Sequence, residues 1–166
     1  MASRKPTRSI ISATTTLSTE AQLAGMMAEF LPAVAALAAQ ARRVLRARLP
    51  GSLELVYDNY NALAIGFAPS LRASEVILSL ALYPRWVSLF FMQGAGLEDP
   101  EGRLRGTGST VRHVVLDTLE TLHDPAIQSL IERALVSAKV PLNPATPHQL
   151  VIKSISAKQR PRRPAN

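Results

Sequence analysis

The sequence predicts an α+β fold: a two-layer sandwich with an N-terminal helix pair and a C-terminal helix packed on an antiparallel sheet of about five strands. Three observations predict it. Residues 20–48 keep a helical apolar spacing interrupted only at Pro32. From Leu53 to Leu116 the chain switches to short β-branched and aromatic runs separated by Gly, Pro and Asn. After Asp124-Pro125 the residues Ile127, Leu130, Ile131, Ala134, Leu135 and Ala138 return to the spacing of one helix face.

Each element has a local cause. Thr19 with Gln22 has the form of a capping box, so a first helix is expected over about 20–30. Pro32 suits the first turn of a new helix, over about 33–48, with Val34, Leu37, Ala41, Val44, Leu45 and Arg48 on one stripe. Arg42, Arg43 and Arg46 gather near its carboxyl end, where cations oppose the helix dipole, and Pro50-Gly51 ends it. Strands are expected at 53–58, 62–67, 76–83, 86–92 and 111–116. Gln149 to Ile155 reads either as an edge strand or as the root of the tail, in the same subunit or swapped to a neighbour.

The most informative pair is Val76–Tyr83 with Trp86–Met92. Setting Tyr83 opposite Trp86 gives one wholly apolar face of Val76, Leu78, Leu80, Leu82, Val87, Leu89 and Phe91, the expected core. The other face carries Ser79, Ala81, Tyr83, Trp86, Ser88 and Phe90, small residues bordered by aromatics, and reads as a pocket floor or a dimer surface. A turn longer than two residues, in type I geometry, is expected around Pro84, because proline cannot take positive φ.

Charge divides the chain into a leader at 1–19, a body at 20–140 and a Pro-rich connection with basic tail at 141–166. The net charge is +7, but eight of the 19 basic residues lie in 1–19 and 153–166, where there is no acid. The body between them holds 11 basic against 12 acidic residues. Basic tails on a neutral body leave weak nucleic-acid contact open. The leader, Ser/Thr-rich and without acids, reads as a disordered segment or a transit peptide. The absence of cysteine excludes thiolate zinc sites and thiol catalysis and allows a reducing compartment, so a cytoplasmic location is expected. No run of about 18 apolar residues is available for a membrane span, so no membrane partner is expected.

Catalytic and metal chemistry find no motif. In GRLRGTGST (102–110) no lysine follows the glycines and a strand rather than a helix comes next, so the stretch reads as a turn and not as a phosphate loop. No GxSxG elbow occurs, and the three histidines stand apart from any nucleophile. His113 and Asp117 would lie about 13 Å apart on a strand, too far to share an ion. The Tyr57–Asn61 stretch reads as a turn with half-buried tyrosines. The expectation is therefore a non-enzyme with no catalytic or metal site and an unknown cofactor requirement.

The order helix, proline, helix, strands, then LALYPRWVSLFFMQGAGLEDPEGRLRGTGSTVRHVVL and DPAIQSLIERAL resembles the YdhG-like family of small bacterial proteins, a domain of unknown function, over about residues 30–140. The resemblance implies helices packed on an antiparallel sheet, and one branch of the family is described as a frataxin-like iron chaperone. The expected function is binding of a small ligand or protein partner, or self-association as a homodimer, through Ser79, Tyr83, Trp86, Ser88 and Phe90. Trp86 and Tyr83 would stack on an apolar or planar group, and Arg85 or Arg112 would orient an anionic part. Polyanion association through the tails and an iron-chaperone role are the alternatives.

Overall fold

The computed structural model describes residues 17–165; the expected leader, apart from its last three residues, lies outside them. Helix α1 (Thr19–Ala28) begins one residue earlier than expected, because the Ser18 hydroxyl, not Thr19, accepts the free amide of Ala21 at 3.1 Å. Helix α2 (Pro32–Arg48) has its proline in the first turn and buries Val34, Ala38, Ala41 and Leu45. The alanines at 38 and 41 let its backbone lie close to the sheet.

Six strands form one sheet: β1 (Leu53–Asp58), β2 (Leu63–Ala68), β3 (Leu78–Leu82), β4 (Val87–Phe91), β5 (Arg112–Leu116) and β6 (Leu150–Ile155), in the order β5-β4-β3-β2-β1-β6. The first five form an antiparallel meander, but β6 joins β1 in parallel, so the sheet is mixed. Of the segment 149–155, Leu150–Ile155 is thus an edge strand paired with β1 of the same chain. A short helix α3 (Glu120–His123) and helix α4 (Pro125–Ser137) carry the chain from β5 back across the sheet to β6. Asp124 caps α4 by accepting from the Ala126 amide at 2.9 Å, and Ile127, Leu130, Ile131 and Ala134 are buried as their spacing predicts.

The helices cover one face of the sheet. Val56, Leu63, Ile65, Phe67, Leu78, Leu80, Leu82, Val87, Leu89, Phe91, Val114 and Leu116 meet α1, α2 and α4 in a single core. Val76 departs from the expected face. It lies before β3, after a tight 3-10 turn at Ala73–Glu75, and packs with Leu53, Leu55 and Ala68 on the opposite side. The turn resets the alternation, so strand parity read back from Leu78 does not reach it.

The glycine-rich stretch is a turn. The Asp99 carboxylate accepts the amides of Arg103 and Leu104 at 2.9 and 2.8 Å, and Arg105 exchanges both backbone hydrogen bonds with His113 at the outer edge of β5. Among the described residues no helix is long and apolar enough to cross a membrane.

The basic tail is docked. The Arg162 guanidinium, almost fully buried, donates to Asp58 Oδ1 at 2.7 Å and to the carbonyls of Asn59 and Tyr60 at 2.6 and 3.3 Å. Its carbon centre lies 5.4 Å from the Phe30 ring, and its Nε has no partner. Arg160 donates to Asn61, and Arg163 donates to the Ala28 and Glu29 carbonyls at the end of α1, where a cation meets the negative end of the helix dipole.

Candidate functional site

The β3–β4 hairpin sets the expected aromatic face. Leu82 pairs with Val87, and the Tyr83 amide donates to the Trp86 carbonyl at 2.9 Å, so Tyr83 stands opposite Trp86 as the alternation requires. The turn is tighter than expected, with only Pro84 and Arg85 between them. No non-glycine residue among those described takes a positive φ, so the proline is accommodated in an unprimed turn.

Ser79, Tyr83, Trp86, Ser88 and Phe90 share the face away from the helices. The register sets Ser79 beside Phe90 and Gly66, Ala81 beside Ser88 and Ala64, and Ser88 beside Val115. The small floor residues are closed over: Ala81 is 4% exposed and Ser88 is 1% exposed. The aromatic rings pair with one another rather than standing apart around an open bowl. Tyr83 stacks on Trp86 at 4.8 Å between centroids and 18° between planes, and Phe90 meets His113 at 5.2 Å. Burial pushes the Tyr83 and Tyr57 phenols above the usual range, and the shielded Tyr57 hydroxyl has no hydrogen-bond partner.

Trp86 remains 44% exposed and its neighbour Val115 40%. Both border a groove of about 430 Å³ at this end of the sheet, beneath the amino-terminal half of α2. Ala33, Val34, Ala36 and Leu37 form one wall, Val87 and Leu116 the base, and Gln40, Arg85 and Asp117 the polar groups. Backed by Tyr83, the indole is held at the lip with stacking surface to offer. Arg85 is exposed in the turn and makes no ion pair among the described residues.

Arg112 does not belong with these residues. It pairs with Phe91, not Phe90, which puts it on the helix-side parity at the far end of the hairpin. Its guanidinium donates to the carbonyls of Gly108 and Val111 at 2.5 and 2.8 Å, and Gly94 packs against its Cβ. A bulky side chain at 94 would meet that stem, so Arg112 braces the glycine turn.

The densest polar cluster escapes sequence reading. Glu54, fully buried on the helix side of β1, accepts from Arg42 Nε at 2.5 Å; Arg46 Nε lies 3.1 Å and His148 Nε2 3.0 Å from its other oxygen. Arg42 also donates to both oxygens of Glu20 at 2.9 Å. Burial alone would lower the Arg42 pKa, but its bonds to Glu20 and Glu54 outweigh that and raise it. A signal existed: a glutamate at an inward strand position, with arginines four apart on the preceding helix. The cluster ties α1, α2, β1 and the segment before β6 together, with each charge answered inside the protein.

Among the described residues no three His, Asp or Glu side chains converge as a metal site. Comparisons with family models, with curated proteins and with solved structures return no match.

Proposed function

We propose that this domain is a non-catalytic binding module of the YdhG-like kind that takes a small planar anion at the Trp86 groove. The observation that carries the reading is an exposed indole, stacked from behind by Tyr83, at the lip of a largely apolar groove next to an arginine with no ion pair among the described residues. A flat ring would lie on the indole, its edge would enter between Ala33, Leu37 and Val87, and Arg85 would meet the negative group. A cysteine-free chain suits the reducing cytoplasm, where we place it.

Trp86 is the sole tryptophan, so it reports its own site. Titration with 2-naphthoate should quench its emission saturably, and Arg85→Gln should weaken the affinity about tenfold, the loss of one charge-assisted contact of about 1.4 kcal/mol. Ala36→Phe, which fills the groove from the helix, should abolish the effect. Unchanged emission at saturating naphthoate, or equal quenching of the Ala36→Phe protein, would sink the proposal. Emission that instead changes with protein concentration would assign the lip to a dimer contact.

A further inference from the structure

A second cavity lies at the opposite end of the same hairpin, about 20 Å along β3 from Tyr83 at 3.3 Å per residue. It encloses about 320 Å³ between the carboxyl end of α4, the 3-10 turn at 73–75 and the near ends of β3 and β4. Its walls are mainly apolar, with Ile77, Phe91 and Ala134 from the core itself and Val76, Leu97 and Ala138 around them, and Ser74, Gln93 and Ser137 add neutral polar groups. It is the more enclosed of the two spaces and adjoins none of the groove residues.

Its charged groups are unequal. Glu75 is half-buried, and its Oε2 accepts from the Ser70 hydroxyl, whose oxygen in turn accepts the Arg72 amide at 3.1 Å. The carboxylate is therefore fixed in orientation, yet among the described residues no cation lies within ion-pair distance of it. The carboxylate thus borders the cavity with a hydroxyl partner and no ion-pair partner among the described residues, so it is free to meet a ligand's cation. The last turn of α4 also carries no basic residue, so its carbonyl end adds negative potential on the other side of the cavity. Lys139 lies on the rim, but it is exposed past the helix end and forms no ion pair among the described residues. A carboxylate and a helix carbonyl end beside apolar walls favour a cation with an apolar body.

We propose that this cavity is a binding site for a small primary amine on an aromatic or branched apolar body, with the ammonium on Glu75 and the body against Ile77, Phe91 and Ala134. The site is independent of the Trp86 groove. Its test uses the full chain, uniformly labelled with nitrogen-15, titrated with 2-phenylethylamine and separately with 3-phenylpropionate. The amine should give saturable amide shifts confined to 74–77, Gln93 and 134–140, and the carboxylate none there. Glu75→Gln, which keeps the side chain's size and lies outside the hydrophobic core, should weaken the amine at least tenfold, and Ala138→Leu should block both the cavity and the shifts. Equal binding of the carboxylate, unchanged amine affinity in Glu75→Gln, or shifts that survive Ala138→Leu would each overturn the assignment. So would an absence of amine shifts at millimolar concentration.

Discussion

Replacing Arg162 by methionine keeps most of the aliphatic stem and removes the charge that answers Asp58. The Asp58 side chain is 6% exposed, and the guanidinium also supplies donors to the Asn59 and Tyr60 carbonyls. Breaking a buried pair from one side costs about 3–5 kcal/mol, because the remaining charge stays desolvated without a partner. That is a large share of the roughly 5–15 kcal/mol that holds a domain together. At about 2–4 °C per kcal/mol for a chain of this size, the melting temperature should fall by roughly 6–20 °C. Thermal unfolding followed by circular dichroism measures that shift, and urea unfolding gives the free energy. The double variant Asp58→Asn/Arg162→Met should recover part of the loss, since neither charge is then stranded. A single variant within about 0.5 kcal/mol of the parent, as for an ordinary surface substitution, would refute the claim that the tail is part of the folded body.

Three further variants test particular residues. Gly51→Ala should destabilise by more than the roughly 1–2 kcal/mol of left-handed strain, because φ is 83° and the added Cβ would sit 1.9 Å from the Asn143 carbonyl oxygen. Gly25→Ala, in α1 with open space around it, should instead stabilise by about 0.5–1 kcal/mol, and urea midpoints of the two variants distinguish them. The hydrogen bonds from Arg42 hold the Glu20 carboxyl below its ordinary 4.5, so its stabilisation is complete above pH 4.5 and is lost as pH falls through the lower folded value. Stability plotted against pH should therefore fall less steeply in acid for Glu20→Gln than for the parent; parallel curves would contradict the pairing.

Much of the architecture was legible because it is written in local alternation. The stripe in α4, the proline at the start of α2 and the pairing of Tyr83 with Trp86 each follow from spacing within one or two elements. What escaped depends on register between elements. Arg112 falls on the helix side only because β5 sets it beside Phe91, and no pattern inside RHVVL states that. The parallel seat of β6 beside β1 depends on a crossover spanning the sheet. The burial of Arg162 was hidden for another reason: a lone arginine reads as solvated unless its partner is known, and Asp58 is 104 residues away. At the aromatic face the residues were legible but their state was not, since self-stacking closes the floor and moves the open space to the lip.

The parallel strand beside β1 also carries a message about time. As the chain leaves the ribosome, the helix pair and the meander from β1 to β5 emerge first, with nearly all the sequence needed for their own hydrogen-bond ladder. For the whole of that interval the outer edge of β1 is an unclaimed template, Glu54 lacks His148, and Asp58 lacks its Arg162 counter-charge. An open strand edge during synthesis invites a neighbouring nascent chain to pair with it. The proline-bearing stretch Pro141–Pro147 ends that exposure when it delivers β6, and residues 156–163 then fasten over the hairpin tip. The edge of the first strand and the Asp58 charge are therefore covered only once β6 and the residues around Arg162 are in place.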